Sequence, residues 1–184
     1  GPRGGLILTR KEHAKKGDSS IFPGLQGGPH MNQVAATAVT MKKVATEEFN
    51  NYSTQVLKNS KKLAEELLKE GFDLVTGGTE NHLIVINTIK SVGMDGKIAE
   101  ELLDQFGLTT NKQVIPDDPN PPLRPSGIRL GTPAITTRGM EEEDMKKIAK
   151  WITNILKSKK GLNRLVELKS EIKTFSSNFK LPGI

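Results

Sequence analysis

Between His30 and Glu70 the apolar side chains Val34, Ala38, Met41, Ala45, Phe49, Tyr52 and Val56 follow one another at steps of three and four, and Leu63 and Leu67 resume the rhythm. That period gathers them on one face of an α-helix. At 1.5 Å per residue, roughly forty residues would reach about 60 Å, longer than a small domain is wide. The pattern therefore either bridges two domains or breaks near Asn50 and Asn51. Gly71 ends it as a C-terminal cap. The alanine-rich first half, VAATAV, suits close packing, and the Lys/Glu-rich second half suits water.

The other elements arrange themselves around this helix. Upstream, a glycine-rich entry leads into a short buried strand, Leu6 to Thr9, and KEHAKKGDSS reads as a loop. Downstream, Phe72 to Val75 is a short strand, TGGTEN a turn, and HLIVINTI, His82 to Ile89, a strand buried on both faces. Asp95 caps a short helix, GKIAEELLDQF, which Gly107 closes. A strand around Val114, a proline-rich loop and the β-branched run IRLGT follow. Two helices, EEEDMKKIAKWITNILKSKK and GLNRLVELKSEIKTF, precede the tail SSNFKLPGI, expected to be extended. The first of these helices has acids in its first turn and lysines in its last, matching the helix dipole. From residue 48 to 184 this order of elements is that of a small two-layer α/β domain.

Composition removes several classes of function. The net charge of +6 invites nucleic acid, but the lysines alternate with glutamates on helical stretches, as solvated faces do. Aromatic residues make up 4%, too few to stack bases. There is no cysteine, so no disulfide, thiolate zinc site or cysteine nucleophile; this fits a reducing compartment, and a cytoplasmic location is expected. His13, His30 and His82 never stand three to five residues apart, so no local metal-ligand pair exists and no metal is expected. No apolar run approaches the ~20 residues of a membrane span.

Two stretches carry chemistry. Arg129 lies in IRLGT between Gly127 and Gly131, which add no bulk beside it. Its planar guanidinium matches a carboxylate two bonds at a time, so it is a candidate to grip an anionic small molecule; a surface ion pair is the competing reading. In IFPGLQGGPH, Gly27 and Gly28 precede a helix start, with Pro29 at or near its first position. Consecutive backbone N–H groups at a helix start can hold a phosphate, although many such entries hold nothing. His82 reads as a structural histidine before it reads as a base.

In this order and spacing, GPRGGLILT, IFPGLQGGPH, GGTENHL, LTTNK and SGIRLGTPAITTRG resemble the C-terminal part of serine hydroxymethyltransferase, and the likeness runs to the closing LPGI. The resemblance implies a fold-type-I pyridoxal-phosphate transferase, with a large α/β domain, a smaller C-terminal α/β domain, and a site shared across a homodimer or higher assembly. It implies that residues 1–47 are the end of the larger domain with its linking helix. It implies transfer of a one-carbon unit between serine and tetrahydrofolate, giving glycine and 5,10-methylenetetrahydrofolate. On that likeness Arg129 holds the carboxylate of serine or glycine, Gly27 and Gly28 reach the cofactor phosphate of the neighbouring subunit, and Arg3 stands near the cofactor. Asn111 contacts the pterin ring of the folate, and Phe22 touches the folate from across the dimer. Arg138 and Thr132 hold their motif together. Asn32 departs from the pattern, standing where many members have a second histidine after His30. In the family the lysine that tethers the cofactor precedes the motif matched by Gly1 to Gly5, so this chain is expected to be part of a larger enzyme and inactive alone. A non-catalytic basic module that keeps the fold, or a folate-independent pyridoxal-phosphate aldolase, are the alternatives.

Overall fold

The computed structural model describes residues 1–157 and 162–181 and divides the chain into two compact units, 1–51 and 52–184. The junction between the last two helices and the end of the tail expected to be extended, Pro182–Ile184, lie outside the described residues.

The first unit is helical. α1 (Lys11–Ser19) occupies the segment expected to be a loop. Glu12 in its first turn and Lys16 in its last suit the helix dipole, and the hydroxyls of Ser19 and Ser20 donate back to the carbonyls of Lys15 and Lys16. A bent turn, Ser20–Leu25, holds Phe22 extended and leads to α2 (Met31–Val44), whose N-cap is His30. The segment Leu6–Thr9 is not in a sheet. A strand needs a neighbour for its ladder, and no strand exists in this unit among the described residues; Leu6, Ile7 and Leu8 stand exposed. No residue of 1–51 is buried.

The break in the long helical pattern comes at Ala45 and Thr46, earlier than Asn50 and Asn51. Thr46 accepts the amide of Phe49 on its hydroxyl and so caps α3 (Glu47–Lys69). Gly71 leaves α3 with a positive φ of 75°, the left-handed stop that glycine takes without strain.

The second unit is built on a three-stranded antiparallel sheet, in the order β1 (Leu83–Asn87), β3 (Gly127–Gly131), β2 (Asn111–Gln113). Instead of the both-face burial expected of His82–Ile89, β1 is shorter and alternates half-buried with buried residues; Thr88–Val92 turns into a helix, α4. One sheet face supplies Ile84, Ile86, Ile128 and Leu130 to the core. Over that core pack α3, α5 (Gly96–Gln105), α7 (Glu142–Lys157) and α8 (Leu162–Ser177), through side chains such as Leu67, Leu103, Ile152 and Ile172. Full burial of each such side chain contributes about 2 kcal/mol. This is the α/β layering expected, helices on one side of an antiparallel sheet. The strand expected at Phe72–Val75 reduces to a single bridge, Leu74 to Ile86, before a tight turn.

Two glycines let α5 sit against the start of β3. The Gly96 amide donates to the Pro125 carbonyl at 2.6 Å, and a methyl group at Gly96 would fall on the Gly127 carbonyl oxygen. Asp95, as expected, caps α5 by accepting the Ile98 amide at 2.9 Å. That hydrogen bond, with Arg124 beside it and against the cost of burial, holds the Asp95 carboxyl below the usual range.

Candidate functional site

Six residues entered as site candidates, and they fall into two groups, one in each unit. In the second unit the pairing of β2 with β3 sets Asn111 directly opposite Arg129, with Val85 of β1 on the other side. Both side chains lie on the sheet face away from the core, because cross-strand partners share a face. The Arg129 Nε donates to Asn111 Oδ1 at 3.1 Å, and the Asn111 Nδ2 donates to its neighbour's carbonyl, Lys112 O, at 3.1 Å. Arg129 is exposed, and among the described residues no carboxylate lies within ion-pair distance of it. The surface ion pair that competed as an explanation is absent among these residues. With Nε committed to Asn111, the terminal nitrogens remain as a fork that fits a carboxylate end-on.

β3 is pinned at both ends. Before it, Ser126 is buried; its carbonyl accepts from the Thr88 amide at 2.8 Å and the Thr88 hydroxyl at 3.0 Å. Asp118 accepts the Ser126 amide at 2.9 Å and the Ser126 hydroxyl at 2.6 Å. After β3, the Thr132 hydroxyl donates to Val56 O of α3 at 2.9 Å, and buried Asn59 donates to Thr136 Oγ1 and Met140 O at 2.9 and 2.8 Å. Gln55 completes this network, donating to Asn59 Oδ1 and to Glu142, whose carboxyl it holds below its usual range. The Tyr52 hydroxyl reaches Pro133 O and Thr137 Oγ1 in α6 (Pro133–Thr137). Arg138 turns away from the sheet face and donates to Ser176 O and Phe179 O, tying down the end of α8. His82 stands just before β1 with its side chain exposed and its carbonyl accepting the Thr132 amide.

Burial acts to raise the Asp118 pKa, but the donors from Ser126, Asn120 and Ile115 outweigh it and hold the carboxyl down to about 2. Asp118, Asn59 and Gln55 were not singled out from sequence. Asn59 could have been, since a polar residue in line with Val56 and Leu63 on an amphipathic helix sits where a core residue belongs.

In the first unit, Arg3, Phe22, Gly27 and Gly28 line one cleft of about 820 Å³, together with Asp18, His30 and Gln33. Nothing lies within 4 Å of where a Cβ would stand at Gly27 or Gly28, so both leave open space on the cleft wall. α2 begins at Met31, two residues after Pro29; in its first turn the Gln33 amide turns back to the His30 carbonyl at 2.9 Å, and the amides of Met31 and Asn32 precede the helical ladder. Bare backbone, a helix start and the Arg3 guanidinium suit a phosphate-sized anion, while the Asp18 carboxylate opposes one. Among the described residues no group of three or more His, Asp or Glu side chains is placed to hold a metal ion, and no helix is long and apolar enough to cross a membrane. In comparison with known protein families, residues 1–152 match the family model described as serine hydroxymethyltransferase.

Proposed function

Because the chain belongs to the serine hydroxymethyltransferase family, whose members are pyridoxal-phosphate transferases, we propose that it contributes to the reversible reaction of serine with tetrahydrofolate to give glycine, 5,10-methylenetetrahydrofolate and water. Pyridoxal phosphate, when bound, supplies an electron sink for the bonds around the amino acid's α-carbon. What this chain supplies is recognition. Arg129 takes the carboxylate of serine or glycine on its terminal nitrogens and thereby fixes the direction of the α-carbon. Asn111 steadies that guanidinium through Nε and keeps a second hydrogen on Nδ2 for the folate. Gly27 and Gly28 receive the cofactor phosphate of the neighbouring subunit with Arg3 close to the cofactor, and Phe22 meets the folate from across the dimer.

The observation that carries this reading is the Arg129 to Asn111 hydrogen bond, which joins in one pair the residues assigned to the amino acid and to the folate. Residues 1–47 then belong to the cofactor-binding domain and 48–184 to the small domain of a cytoplasmic homodimer or larger assembly. No lysine of this chain is matched to the cofactor tether. Arg129→Ala in the complete enzyme tests the reading: losing a charged partner for a bound carboxylate lowers kcat/KM for serine by about 3 kcal/mol, roughly a hundredfold. An unchanged kcat/KM would remove Arg129 from the site.

A further inference from the structure

β2 is only three residues long, and three register pairs join it to β3: Asn111 to Arg129, Lys112 to Ile128, and Gln113 to Gly127. So short a ladder specifies its register weakly. A slip of two residues would keep every side chain on its own face yet carry Asn111 about 7 Å along the strand, out of reach of the Arg129 guanidinium. Something outside the ladder must therefore hold the alignment.

The loop from Val114 to Pro125 contains that device. Asp118 Oδ2 accepts the Ile115 amide at 3.2 Å, at the exit from β2, and the Ser126 amide at 2.9 Å, at the entry to β3. Asp118 Oδ1 accepts the Asn120 amide at 3.0 Å and the Ser126 hydroxyl at 2.6 Å, and Asn120 Nδ2 donates back to Ser126 Oγ at 2.8 Å. One carboxylate thus ties the two ends of the loop together. Ser126 is in turn fastened to the end of β1 through Thr88, so the staple is referenced to the central sheet and not merely to itself.

We propose that Asp118 is a positioning residue for both substrates: by closing this loop it keeps Asn111 and Arg129 opposite each other, so that the carboxylate fork and the folate contact are formed together. The inference rests on the assignment of Arg129 and Asn111 under the proposed function. The Asp118 carboxylate is taken up by Ile115, Asn120 and Ser126. Its effect passes through the register of two strands, which an aspartate that merely stabilised the fold would not alter in molecules that remain folded.

The test uses the complete enzyme loaded with pyridoxal phosphate, comparing Asp118→Asn, Ser126→Ala and Arg129→Lys. Asn at position 118 keeps the shape but replaces one accepting oxygen with a donor; Ala at 126 removes only the hydroxyl bond and keeps the amide bond. Glycine binding is measured by calorimetry without folate, and KM and kcat with serine and tetrahydrofolate. We expect Asp118→Asn to weaken glycine binding five- to tenfold and to raise both KM values by a similar factor, with kcat changed less than threefold. Ser126→Ala should move the same quantities in the same direction by two- to threefold. If both variants lower the melting temperature but leave glycine affinity and both KM values within a factor of 1.5, the positioning role is overturned. Arg129→Lys separates the two levels: glycine binding lost there but intact in Asp118→Asn overturns this inference alone, whereas binding intact in Arg129→Lys overturns the site itself.

Discussion

Two neighbouring buried polar residues on α3 should respond to truncation with opposite sign. Asn59 and Ser60 are both fully buried. Asn59 donates to Met140 O and Thr136 Oγ1 and accepts from Gln55, whereas the Ser60 hydroxyl has no hydrogen-bond partner among the described residues. In Asn59→Ala the Met140 carbonyl loses the donor Asn59 gave it, a penalty of about 1–3 kcal/mol. The space left by the carboxamide adds about 1 kcal/mol, so the expected loss is about 3 kcal/mol. Ser60→Ala removes a group that lost its water without gaining a partner, and stability should stay level or rise by up to about 1 kcal/mol. Trp151, the single tryptophan, is 5% exposed in the core and reports unfolding by fluorescence. At a urea m-value of about 2 kcal/mol/M, Asn59→Ala should lower the midpoint by about 1.5 M while Ser60→Ala leaves or raises it. An Asn59→Ala midpoint within 0.3 M of the parent (on that same m-value, about 0.6 kcal/mol), or a Ser60→Ala variant that loses as much as Asn59→Ala, would refute the reasoning.

Gly96→Ala should destabilise the second unit by about 3 kcal/mol, since the methyl meets backbone at Gly127 that cannot move without opening the sheet; the same fluorescence titration measures it. Asp118 and Glu66, the latter held by Lys62 and Lys69, both have carboxyls at about 2, below the value near 4 of an unfolded chain. The unfolded chain therefore takes up protons first on acidification. Their contribution is complete above about pH 4.5 and disappears as pH falls toward 2. Urea midpoints between pH 6 and 2.5 should fall less steeply in Glu66→Gln and Asp118→Asn than in the parent, and parallel curves would contradict this. Gly28→Asp, which puts a carboxylate on the wall of the first unit's cleft, should release cofactor from the complete enzyme at least tenfold more readily on dialysis, followed by absorbance; equal retention would move the phosphate elsewhere.

What could be read from sequence was whatever depends on near neighbours. The Arg129 strand was legible because a β-branched run between glycines has few other uses, and the Asp95 cap because an N-cap acts three residues away. The end of α3 at Gly71 was legible for the same reason. Leu6–Thr9 misled because strand character is completed by a partner, and this unit offers none among the described residues. α1 was missed because it has no apolar stripe; its charges and serine hydroxyls make it a helix instead. The break at Thr46 was in plain view as a threonine before two glutamates, but the apolar rhythm runs straight across it. Of the site, single residues were legible and their relations were not. That Arg129 bonds Asn111, eighteen positions away, follows only from strand register, and the part played by Asp118 follows from a serine eight positions downstream.

Residues 1–51 keep Leu6, Leu8, Leu25, Met31 and Val39 in water, with no interior of their own. Such a piece cut loose has little to resist thermal disorder and much to adhere with. On a column or beside a chaperone it would behave as glue before it behaved as a receptacle for a coenzyme. Dye-binding and limited-proteolysis signals from this stretch will therefore report what is covering it at the time, and loading experiments on its cleft belong with the intact polypeptide.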